Sequence, residues 1–167
     1  MYDELTEIDI QKMREEMDYR IRELRPKLIA DVQTARAFGD LSENFEYKCA
    51  KQEKNRNESR IRYLERMIKT AKVISADSGE DTVGLFDKVV VFNEKLGKEM
   101  TLRIVTTLRQ DARQGLISKE SPVGQALLGH KVGERVQVTL GPGSGYFMEI
   151  RAIEKGEDDE SLEIARY

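Results

Sequence analysis

The sequence predicts an α+β protein, with an N-terminal antiparallel helical coiled-coil hairpin followed by a small α+β domain. Three observations carry that expectation. Apolar residues recur at helical spacing on both sides of Gly39, the periodicity is lost over 75–82, and short β-rich runs follow. The expected division is 1–75 for the hairpin, 76–82 for a linker, 83–156 for the α+β domain and 157–167 for an acidic C-terminal tail.

The first helix opens at Thr6, a plausible N-cap with Asp9 in capping-box register. Its apolar seam runs Met13, Met17, Ile21, Leu24, Leu28, Val32, Ala35, an eleven-residue period that favours nearly straight or slightly right-handed winding. At the standard rise, a helix over 6–37 extends on the order of 45 Å. Pro26 interrupts its interior and is expected to bend it. The return helix keeps a heptad seam at 47, 50, 54, 57, 61, 64, 68 and 71, in which Lys54 and Asn57 are polar. Polar seam residues fix register at some cost in stability, and with the turn near residue 41 they are expected to face Arg25 to Leu28.

Between the helices stands Gly39-Asp40-Leu41-Ser42-Glu43-Asn44. Gly39 suits the left-handed conformation that ends a helix. Asp40-x-x-Glu43 fits a capping box, with Ser42 or Asn44 as alternative caps. Capping is the default reading of such a turn, since every helical hairpin needs one. The same spacing also leaves two carboxylates, Asp40 and Glu43, at the far end of a hairpin, where a binding partner can read them. Arg36, Lys48, Lys51, Lys54, Arg56 and Arg60 place basic residues along the outer half, although Glu46, Glu53 and Glu58 among them also suit a solvated face. Cys49 has no histidine near it in sequence and reads as a small helix residue.

After the linker, Lys88–Phe92, Met100–Thr106, Leu116–Ser118, Arg135–Leu140 and Tyr146–Ile153 read as strands. Pro122 to Leu128 reads as one helix, with Ser121 as N-cap and Pro122 at its first position. Gly141-Pro142-Gly143-Ser144-Gly145 precedes a strand and not a helix, so it reads as a hairpin turn in preference to a phosphate loop. His130 has no partner at catalytic spacing.

Composition narrows the function classes. One Cys excludes an internal disulfide, and with a single His there is no Cys/His cluster for structural zinc. No apolar run approaches the ~20 residues of a membrane span, and Met1-Tyr2-Asp3-Glu4 lacks a signal-peptide pattern. A cytoplasmic setting without membrane contact is expected. Residues 154–163 hold six acids against Lys155 alone, a local −5, so the rest of a chain of net charge −3 carries +2.

Arg36-Ala37-Phe38-Gly39-Asp40-Leu41-Ser42-Glu43-Asn44-Phe45-Glu46-Tyr47 resembles the signature of the Gre transcript-cleavage factors, close to A-R-x-x-G-D-L-S/K-E-N-x-E-Y. Ser121-Pro122-Val123-Gly124-Gln125-Ala126-Leu127-Leu128-Gly129 resembles their second signature. The resemblance implies an FKBP-like second domain and a hairpin that enters the secondary channel of bacterial RNA polymerase. There Asp40 and Glu43 would stimulate the polymerase's own cleavage of backtracked nascent RNA at its 3′ end, holding a Mg²⁺ shared with the polymerase active site. Gly39, Leu41, Ser42 and Asn44 would shape the tip, and Arg36 and Lys51 would contact RNA. The factor itself would be no enzyme, would bind no cofactor alone, and is expected to be a monomer when free. Some relatives instead plug the channel and inhibit without cleavage. A binding module with an FKBP-type pocket is a third reading, weakened by an aromatic content of 7%. Three features depart from the family pattern: Asp9 where Gly is usual, Phe86-Asp87 at the entry to the first strand, and the acidic extension beyond Lys155. Phe45 also replaces a smaller residue.

Overall fold

The computed structural model describes residues 3–39 and 43–165. It comprises two compact units, Ile10–Ala71 and a second built from Asp3–Asp9 with the chain from Lys72 onward.

The first unit is the helical hairpin. Helix α1 (Glu7–Tyr19) passes into five π-helical residues, Arg20–Leu24, and then α2 (Arg25–Arg36). The return arm is one uninterrupted helix, α3 (Phe45–Thr70). Both seams are less exposed than their flanks, and Met13, Ala35, Ile61 and Leu64 are buried. Pro26 acts as expected of a residue without an N–H inside a helix: the chain widens before it, and α2 restarts with the proline in its first turn.

That wide turn changes the cross-arm register. Asn57, expected opposite Arg25 to Leu28, instead meets Arg20. It donates to the Arg20 carbonyl at 3.3 Å and accepts from the Arg20 guanidinium at 3.0 Å. A π-helical turn holds more residues per unit of axial length, which moves the Arg20 contact toward the N-terminus while Arg25 stays opposite the second arm at Glu58. Arg25 takes Glu58 at 2.7 and 3.0 Å, and this hydrogen-bonded pairing holds the Glu58 carboxyl below the usual range. Arg60, expected on the basic outer face, is buried and bonded to Glu16 at 2.8 and 3.3 Å.

In the second unit a five-stranded sheet runs β5-β4-β3-β7-β6, comprising β3 (Lys88–Asn93), β4 (Lys98–Val105), β5 (Leu116–Ser118), β6 (Arg135–Gly141) and β7 (Ser144–Glu154). Neighbours are antiparallel except for the β4–β5 pair. Inward residues of alternating strands, among them Val89, Val91, Ile104, Val138, Met148 and Ile150, form one apolar core with Phe86 and Leu127. Helix α4 (Pro122–Leu127) is capped as its sequence predicts, Ser121 Oγ accepting from the Gly124 N–H at 3.0 Å. This is the small α+β domain of the FKBP-like class. The glycine-rich stretch is indeed a hairpin turn, with Gly143 at φ +70°. A two-residue parallel pair, β1 (Glu4–Leu5) with β2 (Lys72–Val73), completes the unit.

One charged cluster lies at the heart of this unit. Thr6 and Asp9 form the capping box: the Thr6 N–H donates to Asp9 Oδ2 at 3.0 Å and the Asp9 N–H donates to Thr6 Oγ1 at 3.3 Å. The second Asp9 oxygen accepts from Arg109 Nε at 2.6 Å, and both side chains are fully buried. Arg109 also pairs with Asp158 and donates to the Asp159 carbonyl at 3.1 Å. Its guanidinium lies 5.0 Å from the centre of the Phe86 ring. Phe86 adopts φ +69°, a left-handed conformation uncommon for a bulky residue. Asp9, Phe86 and the acidic extension, three of the departures read from the sequence, therefore meet around one arginine. Residues 157–165 pack back on the sheet unit: Arg103 donates to the Glu157 carbonyl, Leu162 abuts the core, and the Ala165 N–H donates to the Leu108 carbonyl.

Candidate functional site

The end of the hairpin is built by two helix termini. At the C-terminus of α2, the N–H groups of Ala37 and Phe38 donate to the carbonyls of Thr34 and Ala35, each at 3.2 Å. Gly39 follows at φ +117°, where any L side chain would be strained. Asp40, Leu41 and Ser42 lie outside the described residues, so the sequence's assignments to them are untouched by the geometry.

On the other side, Asn44 is the N-cap of α3. Its Oδ1 accepts from the Tyr47 N–H at 3.0 Å, and its Nδ2 donates to the Ala35 carbonyl at 2.7 Å. One side chain thus satisfies a free N–H of the second helix and adds a second donor to a carbonyl in the last turn of the first. Because α3 begins at Phe45, Glu43 precedes the cap and does not occupy the third helical position of a capping box. Its carboxylate is exposed and makes no hydrogen bond or ion pair among the described residues. A single carboxylate so placed is an available anionic oxygen ligand or proton acceptor.

Arg36, the last residue of α2, is exposed, with its guanidinium 5.6 Å from the centre of the half-buried Tyr47 ring. That cation–π contact brings Arg36 against the second arm at the tip. Lys51 is exposed on α3, about 9 Å along the axis from Phe45 at the standard rise. Two further residues stand out that the sequence did not mark as site residues. Phe38 and Phe45 are 72% and 76% exposed, the highest values among the large apolar side chains described. Their signal lay in an aromatic on either side of a turn whose other residues, Leu41 apart, are small or polar. Elsewhere, His130 pairs with Glu134 on the surface at 2.7 Å, and Cys49 is half-buried without a disulfide. No helix among the described residues is long and apolar enough to cross a membrane.

Fold and site define a class: a helical hairpin whose return helix is capped by asparagine beside an exposed carboxylate, joined in sequence to a small α+β domain. The comparisons with known proteins agree. The N-terminal transcription elongation factor model matches residues 4–73, and the C-terminal GreA/GreB model matches 77–155. Transcription elongation factor GreA of Oenococcus oeni is 38% identical over 92% of this chain and 95% of its own. GreA of Caldanaerobacter subterraneus is 42% identical over 83% and 89%. Among solved structures, GreA factor homolog 1 of Thermus thermophilus aligns at 26% identity over 93% of this chain and 100% of its own, with a TM-score of 0.43. The chain belongs to the GreA/GreB family of transcription elongation factors.

Proposed function

We propose that this elongation factor inserts its hairpin into the secondary channel of bacterial RNA polymerase and stimulates the polymerase's own cleavage of backtracked RNA. The observation that carries the reading is the division of labour at the tip. Asn44 does the capping of α3, and Glu43 has no hydrogen-bond or ion-pair partner among the described residues. An exposed acid with no partner among the described residues, beside a cap that bonds both arms, is placed for a partner's use.

The chemistry expected of such an acid follows from its valence. Mg²⁺ demands six oxygen ligands in octahedral array, and the one or two carboxylates of a turn supply too few. Asp40 and Glu43 are therefore assigned to a shared site, completed by groups of the polymerase. The ion, when bound there, supplies a Lewis acid and an activated water. Glu43 would contribute an oxygen and accept a hydrogen bond from the attacking water, while Asn44 holds the direction in which Glu43 leaves the helix end. Gly39 gives the chain the backbone conformation needed to turn, and Leu41 and Ser42 are assigned to shaping the same turn. Arg36 and Lys51 are assigned to RNA phosphates. Lysine at 51 supplies charge without the bidentate fork of arginine. On this account the factor alone is no nuclease and acts as a monomer.

The test is RNA 3′ shortening in purified backtracked elongation complexes with and without the factor. Stimulated shortening, with none when RNA, Mg²⁺ and factor are mixed without polymerase, supports the reading. Polymerase binding without stimulated shortening transfers the chain to the channel-blocking inhibitors, and RNA degradation by the factor alone overturns both.

A further inference from the structure

Phe38 and Phe45 stand on opposite arms of the hairpin, one just past the end of α2 and the other opening α3. Together they line a single open cleft of about 460 Å³, shared with Glu43, Asn44 and Glu46. Two large aromatic rings left in water on one small turn form an apolar patch that a partner is needed to cover.

The lining of the cleft selects the partner. Among the described residues its ionisable side chains are Glu43 and Glu46, and no described Lys or Arg lines it. A phosphate or an acidic peptide is repelled there. Asn44 spends one amide N–H on the Ala35 carbonyl and one oxygen lone pair on the Tyr47 N–H, so its first duty is to the cap. The occupant must therefore bring a flat apolar face for the rings and a hydrogen-bond donor at its edge for a carboxylate. An aliphatic protein surface offers the first without the second, and would bury carboxylate oxygens unsatisfied. A nucleobase with an exocyclic amino group offers both, and stacking of unpaired bases on aromatic side chains is a general mode of single-strand recognition. Exposed Arg36 and Lys51 lie outside the cleft, on the arms that flank it, where phosphates can be followed while the base turns inward.

We propose that Phe38 and Phe45 form an aromatic pincer for an unpaired nucleobase of the RNA 3′ segment, with Glu46 accepting from the exocyclic amino group of that base. This rests on the elongation-factor reading and adds to it a determinant of which RNA ends are cleaved well. Adenine, cytosine and guanine carry the exocyclic amino donor, whereas uracil offers only its ring N3–H, flanked by two carbonyl oxygens that a carboxylate repels, so uracil-ended RNA is the poorer substrate. Both rings are largely in solvent, so replacing them leaves the hairpin folded, which circular dichroism checks.

The experiment uses full-length factor and backtracked complexes whose extruded 3′ nucleotide carries adenine, uracil or no base. The Phe38→Leu/Phe45→Leu double variant is expected to slow shortening of adenine-ended RNA by roughly 5- to 150-fold, the worth of one base–aromatic stack, and to leave abasic-ended RNA at the wild-type rate. Glu46→Leu is expected to erase the preference for adenine over uracil. In parallel, 2-aminopurine at the RNA 3′ end is expected to be quenched by wild-type factor and not by the double variant. Equal slowing on abasic and base-bearing RNA overturns the pincer and assigns the rings to a protein surface of the polymerase. Quenching without any stimulated cleavage would sink the cleavage reading while sustaining the pincer. Cleavage without quenching would do the reverse.

Discussion

Arg109 is the residue on which the sheet unit is most exposed to damage. Its guanidinium and the Asp9 carboxylate are fully buried, 2.6 Å apart, so neither charge has water to fall back on. Replacing Arg109 by Met keeps most of the volume and removes the cation, leaving Asp9 buried with only its bonds to Thr6. Breaking one side of a buried pair costs about 3–5 kcal/mol. At about 2–4 °C per kcal/mol for a chain of this size, the melting temperature should fall by roughly 6–20 °C. Asp9→Asn keeps an acceptor for the Thr6 N–H, so the cap survives and the loss reports the charge alone. The pair should also be coupled: Asp9→Asn with Arg109→Met should destabilise by less than the two singles added, by about 0.5–3 kcal/mol, because no uncompensated charge then remains between those two positions. Thermal and urea unfolding of the three variants measure this. Single-variant losses below about 1 kcal/mol, or strict additivity, would refute the reasoning.

Three further outcomes are expected. Asn44→Ala removes the cap of α3 and its bond to the first arm, costing about 1 kcal/mol, and should speed hydrogen exchange at the Tyr47 amide; unchanged exchange there would return the cap to another residue. Glu58 is held below the usual carboxyl range by Arg25, so its contribution is present above the unfolded pKa of about 4.3 and is lost as pH falls through the depressed folded value. Urea midpoints taken from pH 7 down to about 3 should therefore drop less steeply for Arg25→Met than for wild type, and parallel curves would deny the pair any role. Arg36→Ala with Lys51→Ala should weaken stimulated cleavage more steeply as salt rises while sparing polymerase binding, whereas salt-independent rates would return both residues to a solvated face.

What the sequence made legible follows the range of the interaction. The seams from Met13 to Ala35 and from Tyr47 to Ala71 were readable because burial repeats with the helix. The Thr6–Asp9 and Ser121–Gly124 caps were readable because cap and partner stand three residues apart. The Arg109–Asp9 pair joins residues a hundred positions apart, and no local pattern announces it. The register of Asn57 was missed because a π-helical turn before Pro26 has no spacing signature. At the tip, Asp40, Ser42 and Asn44 are all good N-caps by type. Only the simultaneous bond of Asn44 to the Ala35 carbonyl, which needs both arms in place, selects among them. Strand ends were placed short where charged residues, Lys98, Glu99 and Glu154, continue the ladder, because hydropathy falls there while backbone pairing does not. Phe38 and Phe45 were legible as aromatics but not as exposed ones, since exposure depends on where the two arms end.

The central claim is that the tip acids act on RNA chemistry and not on the fold. The most direct measurement is the rate of RNA 3′ shortening in backtracked complexes at saturating factor, with Glu43→Gln and Asp40→Asn compared with wild type. Polymerase affinity and melting temperature are measured on the same preparations. With Asn44 carrying the cap, the account predicts unchanged stability and binding, and a cleavage rate lower by roughly 100-fold or more, the scale of losing one preorganised electrostatic group. Wild-type rates from both variants would contradict it.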